Sequence, residues 1–203
     1  MPSFGLSRIR GRFMMRGMIV KFVDAARIRN TIDTDFSGIG SHADYPYIPL
    51  GEMWIDKWMR SEKDLFVALW KLERSMRGKP FRLIREKAKK TFVVAKAAKL
   101  VVKKTVRKGP LKILYVDGAS VRKGFDPYFL LGGHDLVYPY IPKHEVWVDD
   151  RQDPKETKYT LIHELDERER MAKGLSYDDA HDFALAAERM ARRKDGVADF
   201  IRG

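Results

Sequence analysis

The peptide YPYIP occurs at residues 45–49 and again at residues 138–142, in the middle of a longer duplication. Shifting the chain by 93 positions aligns residues 23–56 with residues 116–149 without a gap, and 15 of the 34 aligned pairs are identical. Self-similarity at a fixed offset is typical of a repeated supersecondary unit. The sequence therefore predicts two tandem units built on one plan.

Each unit is expected to contain two short strands. The first strand is predicted at residues 19–23 and 113–116, and the second at residues 52–55 and 145–148. In the later copy of the second strand, Val146 and Val148 alternate with Trp147, which is the spacing of a strand with two different faces.

Helices are expected after the second strand of each unit. In the second unit, Asp153 followed by Pro154 is a typical helix start, and Gly174 is a typical residue after a helix end. Ser176 with Asp179 opens another helix, which runs to about residue 193. A helix over residues 61–77 is expected in the first unit. The predicted fold class is α+β, with two tandem units of strands and helices joined by a connector.

Composition limits the chemistry that the chain can use. The 203 residues include no cysteine, which excludes disulfides, thiolate metal sites and cysteine nucleophiles. The first residues lack the apolar core of a secretory signal, and no window has the roughly 20 consecutive apolar residues of a membrane span. We expect a cytoplasmic protein that is not secreted by a signal peptide and has no membrane partner.

The net charge of +12 is unevenly distributed. Residues 1–76 carry +3, residues 77–112 carry +13 and residues 113–203 carry −4. These boundaries separate a first unit with a basic N-terminal arm, a basic connector and a second unit. Residues 81–107 lack glycine and proline and predict one long basic helix, although four β-branched valines favour a strand near residues 91–95 as an alternative.

The connector is also a candidate nucleic-acid contact, because lysine and arginine side chains neutralise phosphates without regard to sequence. The opposing interpretation is a solvated helix that pairs with acidic surfaces, including the acidic second unit. The candidate residues are Lys87, Lys89, Lys90, Lys96, Lys99, Lys103, Lys104, Arg107 and Lys108.

A candidate metal site lies near the C-terminus. His163 and Glu167 are four residues apart and share one face of the predicted helix, and His181 on the following helix would complete a set of two histidines and one carboxylate. Glu164 is then placed to act as a general base. Glu188 is placed to orient His181 through a contact from outside the set of ligands. The expected cofactor is a divalent metal, with zinc first and iron or manganese as alternatives.

The duplication provides an internal comparison for this site. At the offset of 93, His163 pairs with Trp70, Glu164 with Lys71, and Glu167 with Arg74. The first unit also passes directly into the basic connector, without a counterpart of the His181 helix. The helix therefore does not need these side chains in order to fold, which favours a specific task for them in the second unit.

The competing interpretation is that His163, Glu164 and Glu167 are solvated residues of a charged helix and that His181 packs between helices. Two further histidines have weaker signals. His134 could approach the site, but Ser41 occupies its place in the first unit, which favours a loop histidine hydrogen-bonded to backbone. His144 has Gly51 as its counterpart and is interpreted as a surface residue.

The pattern His163-Glu164-x-x-Glu167, followed by Gly174, Ala180-His181 and Glu188, resembles zincin-like metallopeptidase domains encoded in bacteriophages and prophages. The resemblance covers about residues 113–193, and the pattern has Glu167 where the zincin motif has its second histidine. It implies a peptidase-like hydrolase that acts on a peptide or protein, with His163, Glu167 and His181 as ligands and Glu164 as the base. It implies a first unit that is a degenerate copy, and a location in the host cytoplasm or the virion. The alternative is a non-enzymatic virion structural or nucleic-acid-associated protein, with an assembly partner, that retains a zincin-like fold.

Overall fold

The computed structural model describes residues 18–94 and 99–198. Within these residues the chain has an α+β fold with six α-helices and two small mixed sheets, one of three strands and one of four. The predicted fold class is confirmed. No helix in these two ranges combines the length and apolarity needed to cross a membrane.

The first half forms the three-stranded sheet and three helices. Strand β1 runs parallel to β3, which pairs antiparallel with β2. Asp24 caps α1 by accepting a hydrogen bond from the backbone N–H of Arg27. The elements are β1 Ile19–Val23, α1 Ala25–Thr31, β2 Ile39–Ser41, β3 Glu52–Asp56, a 3-10 helix Lys57–Glu62, α2 Lys63–Ser75 and α3 Phe81–Phe92.

The second half forms the four-stranded sheet, in the order β4-β5-β7-β6, and three more helices. Helix α5 lies on this sheet, where Leu161 and Leu165 pack against Ile113, Val146 and Val148. The elements are β4 Val102–Lys108, β5 Leu111–Val116, α4 Gly118–Gly124, β6 Gly132–His134, β7 Glu145–Asp149, α5 Pro154–Ala172 and α6 Tyr177–Lys194.

The strand registers of the two halves correspond at the offset seen in the sequence. Ile19 pairs with Glu52 in the first sheet, and Lys112 pairs with Glu145 in the second. Each position differs from its counterpart by 93. The relation of these halves to zincins stays a prediction.

Two buried arginines join the halves reciprocally. Arg29 of α1 donates a hydrogen bond of 2.7 Å to Glu156 at the start of α5, and Arg122 of α4 donates one of 2.6 Å to Glu62 before α2. Each arginine also donates to a backbone carbonyl of its own half. Buried charges require such partners, and the carboxylate from the other half adds to one from the arginine's own half, Asp56 near Arg29 and Asp149 beside Arg122.

These contacts correct the gapless pairing of the helices. Glu62 and Glu156 bind equivalent arginines, although they are 94 residues apart rather than 93: Glu62 is the sixth residue after β3 and Glu156 is the seventh after β7. With this shift, Glu167 corresponds to Glu73 rather than to an arginine. The two histidine ligands still have no histidine counterpart in the first half.

The prediction of one helix through the connector is wrong. Helix α3 ends at Phe92, residues 93–94 are neither helix nor strand, and Val102–Lys108 is a strand that pairs antiparallel with β5. β-Branched residues lose side-chain freedom in helices and suit strands, and Gly109, with φ of +59°, supplies the tight turn into β5. The first half therefore does have a second helix, α3, which follows α2 as α6 follows α5.

Candidate metal centre

Helices α5 and α6 bring the three predicted ligands to one point. His163 and Glu167 lie one turn apart on α5, and the chain reverses at Gly174 before Ser176 caps α6 and positions His181. The Nε2 atom of His163 lies 3.1 Å from Nδ1 of His181, which lies 2.8 Å from Oε2 of Glu167. The third side of this triangle, between His163 Nε2 and Glu167 Oε2, is 3.4 Å.

The triangle has the size that a metal ion needs. Ligand atoms about 2.0–2.1 Å from a tetrahedral zinc ion lie roughly 3.3–3.4 Å from one another. Of the three distances in the structure, 3.4 Å matches this spacing, and 3.1 and 2.8 Å are shorter by up to about 0.5 Å. Two imidazole nitrogens and one carboxylate oxygen also form a donor set suited to zinc, iron or manganese.

The outer nitrogen of each imidazole faces a carboxylate. Nδ1 of His163 lies 3.3 Å from Oε2 of Glu188, and Nε2 of His181 lies 3.3 Å from Oδ1 of Asp35. With a metal ion held by the inner nitrogens, the imidazole protons would lie on the outer nitrogens, where these carboxylates accept them. Glu188 therefore contacts His163, whereas the sequence suggested His181. Asp35 was missed, because it lies 146 residues from its partner and no pattern connects them.

His134, in the edge strand β6, supports Glu167 from the opposite side. Its side chain is fully buried, and its Nδ1 accepts a hydrogen bond from the backbone N–H of Leu136. The contact with backbone was expected, but His134 lies in a strand rather than in a loop. The contact leaves the proton on Nε2, which donates to Oε1 of Glu167 at 3.0 Å. Oε1 is thus held by His134 while Oε2 faces the triangle.

A second group of potential ligands, His134, Glu164 and Glu167, also lies within 4.8 Å. It is the weaker site, because His134 would have to give up its contact with the backbone N–H in order to turn a lone pair toward the ion. The donor set of His163, Glu167 and His181 requires no such change.

The cluster attracts a cation. Burial opposes ionisation of Glu167, but hydrogen bonds from His134, His163 and His181 outweigh it and hold the pKa of this carboxyl well below its usual range. Burial lowers the pKa of His163, but hydrogen bonds to Glu167 and Glu188 raise it to about 10. Facing nitrogens 3.1 Å apart cannot both carry a proton in the space between them. At most one proton, or a metal ion in its place, can therefore lie between the two histidines.

Hydrogen bonds to Asp35 and Glu167 raise the pKa of His181 to about 9. Protons therefore compete with any metal ion for both imidazoles, and metal binding must release these protons.

Glu164 lies beside the triangle and close to β6. A Cβ atom placed on Gly132 would be 2.9 Å from Oε1 of Glu164, so the glycine leaves room for this carboxyl group. Burial raises the pKa of Glu164 to about 7, while the neighbouring His163 works in the opposite direction. A group with this pKa can accept and return a proton at neutral pH.

A cleft of about 350 Å³ opens onto these residues and is lined by both halves. The first half contributes the loop that contains Asp35 and Phe36, and the second contributes His163, Glu164 and His181. A larger cavity of about 540 Å³ lies in the first half beside Trp70 and contains none of the three proposed ligands. The smaller cleft is therefore the one that reaches the candidate ligands.

The surface-helix interpretation of the ligands is wrong. The side chain of His163 is 12% exposed and that of Glu167 is 4% exposed. His144, in contrast, has an exposed backbone contact with Asp135 and lies outside the triangle.

The basic connector residues are divided by the fold. All seven residues of β4 are exposed, including Lys103, Lys104, Arg107 and Lys108. Lys89 of α3 is instead 3.1 Å from the buried carboxylate of Asp126. Lys87, Lys90 and Lys99 are exposed, and Lys96 lies outside the described residues.

Comparison of the chain with protein-family models, with curated proteins and with solved structures found no match.

Proposed function

We propose that the chain is a metal-dependent, peptidase-like hydrolase in which His163, Glu167 and His181 bind one divalent ion, with zinc first. The convergence of three donor atoms in a triangle of metal-binding size carries this proposal. The outer contacts to Glu188 and Asp35 support it, because they turn both imidazole lone pairs toward the same point.

The catalytic chemistry follows from the position of Glu164. A divalent ion supplies Lewis acidity toward a carbonyl group. The carboxylate of Glu164 removes a proton from the attacking water molecule and later delivers it to the leaving amine. Its pKa of about 7 makes both transfers feasible at neutral pH.

An extended peptide suits the edge of the sheet beside the site. The backbone N–H of Asp149 bonds to the carbonyl of Leu131, and that of Asp135 bonds to the carbonyl of Glu145. Alternate residues of an antiparallel strand face its partner, so the backbone groups of Gly132 point away from β7. Gly132 also lines the cleft, where a substrate strand can pair with it.

The test separates metal binding from catalysis. Purified protein is analysed for zinc, iron and manganese by mass spectrometry, and hydrolysis of fluorescent casein is measured. We expect His163→Ala to lose both metal and activity, Glu164→Gln to keep the metal and lose activity, and the control His42→Ala to keep both. Absence of a stoichiometric metal from the wild-type protein after reconstitution, or unchanged binding by His163→Ala, would contradict the proposal.

A second candidate function is phosphate-backbone binding by β4, which is favoured by its complete exposure. Its four cations, Lys103, Lys104, Arg107 and Lys108, would release counterions on binding, so the affinity should fall with salt. A gel-shift assay with random-sequence DNA and RNA tests this function, and a shift that is absent or insensitive to salt removes it.

A further inference from the structure

The half of the chain without the ligands reaches into the metal centre. We propose that Asp35 of the first half is a positioning residue that orients His181 for the metal ion, so that the first half completes the site. This inference rests on the proposed metal centre and adds a task for the half that was expected to be a degenerate copy.

The contact of Asp35 determines which nitrogen of His181 carries the proton. Oδ1 of Asp35 lies 3.3 Å from Nε2 of His181, and no other residue within the described ranges bonds to that nitrogen. With the proton on Nε2, Nδ1 directs its lone pair into the triangle. Without Asp35, the ring can instead protonate Nδ1 and donate to Glu167, 2.8 Å away, which competes directly with the metal.

The loop that carries Asp35 is held in place by its own half. Asp33 accepts a hydrogen bond of 2.9 Å from the backbone N–H of Asp35, and the hydroxyl of Tyr45 donates to the carbonyl of Asp35 at 3.1 Å. The carboxylate is therefore presented from a fixed turn, although its side chain remains 54% exposed.

Helix α6 is attached to the same loop and to helix α1 before it. Arg189 donates to the hydroxyl of Thr34 at 3.3 Å, and Arg192 donates to the side-chain carbonyl of Asn30 at 2.8 Å. The helix that carries His181 thus rests on the first half at three points, of which Asp35 is the one that touches a ligand.

A second connection leads to the other histidine. Arg29 of the first half bonds to Glu156, which bonds to Arg192, which in turn bonds to Glu188 at 2.7 Å. Glu188 then faces His163. Both imidazoles therefore take their orientation from groups connected to the first half.

The two equivalent loops of the repeat differ at the position of Asp35. Its counterpart at the offset of 93 is Tyr128, whose hydroxyl donates a hydrogen bond of 2.8 Å to Glu73 of α2. Each half thus extends this loop toward the helices of the other. A carboxylate stands at this position only where the opposite helices carry histidine ligands.

The experiment measures zinc affinity of the full chain by calorimetry with a competing chelator. We expect Asp35→Ala to weaken zinc binding by about 10- to 100-fold, the range seen when a partner of a ligating histidine is removed. Asp35→Asn should weaken it less, because the amide oxygen still accepts from Nε2–H. Asp64→Asn is the control, since that carboxylate is 98% exposed.

A second measurement reports the position of the proton. Nitrogen NMR of the zinc-loaded protein should show His181 protonated at Nε2 in the wild type and a loss of protection of that proton in Asp35→Ala. Equal zinc affinity of Asp35→Ala and wild type within twofold would overturn the role of Asp35 and leave the proposed function standing. Failure of the wild type to bind zinc would instead overturn both.

Discussion

Replacement of Glu164 by glutamine should change how the stability of the metal-free protein depends on pH. Burial raises the pKa of this carboxyl from 4.5 to about 7 in the folded protein. At 1.36 kcal/mol for each pH unit, this difference corresponds to about 3 kcal/mol, an upper value because the side chain is only partly buried.

The sign follows from proton linkage. Between pH 4.5 and pH 7, Glu164 has lost its proton in the unfolded chain but still holds it in the folded protein. The protonated Glu164 side chain therefore contributes its full stabilisation below about pH 4.5, and this stabilisation is lost as the pH rises to about 7. Glutamine does not ionise and avoids this loss. The free energy of unfolding of Glu164→Gln, relative to wild type, should therefore rise by up to about 3 kcal/mol between pH 4.5 and pH 8.

Urea unfolding in the presence of a chelator measures this difference at both pH values. Glu169→Gln is the matched control, because Glu169 is on the same helix with a side chain that is 66% exposed. Parallel pH profiles for wild type and Glu164→Gln would refute the raised pKa, and with it the physical basis for Glu164 as a base at neutral pH.

Two further substitutions test the assembly of the halves and the space around the base. Glu62→Gln removes the negative charge opposite the fully buried Arg122, which keeps Asp149 as a partner. The free energy of unfolding in urea should fall by about 1.5–3 kcal/mol, the range for a hydrogen bond to a charged group, whereas the exposed control Glu86→Gln should change it by less than about 0.5 kcal/mol. Gly132→Ala would place a methyl group 2.9 Å from Oε1 of Glu164, so casein hydrolysis should fall more than about 10-fold while zinc content stays unchanged. An unchanged rate, or a loss of zinc, would contradict that explanation.

Much of the fold and part of the site could be predicted from local sequence. The α+β class, the strands that recur at a spacing of 93 residues and the cap at Ser176 depend on residues close to one another in the chain. The common face of His163 and Glu167 follows from the helical period alone. The connector was mispredicted because its lysines and alanines favour helix, whereas Val102–Lys108 pairs with β5 in a local hairpin whose turn at Gly109 is the signal that could have shown it.

The sequence by itself thus determined the repeated elements, and it placed two of the three proposed ligands on one face of a helix. Only the tertiary structure decided that His181 meets them, that Glu188 faces His163, and that Asp35 and His134 support the centre across 146 and 33 residues. The physical reason is that these contacts depend on how the halves are joined by their buried arginines and carboxylates, and such long-range pairing leaves no periodic signal in the sequence.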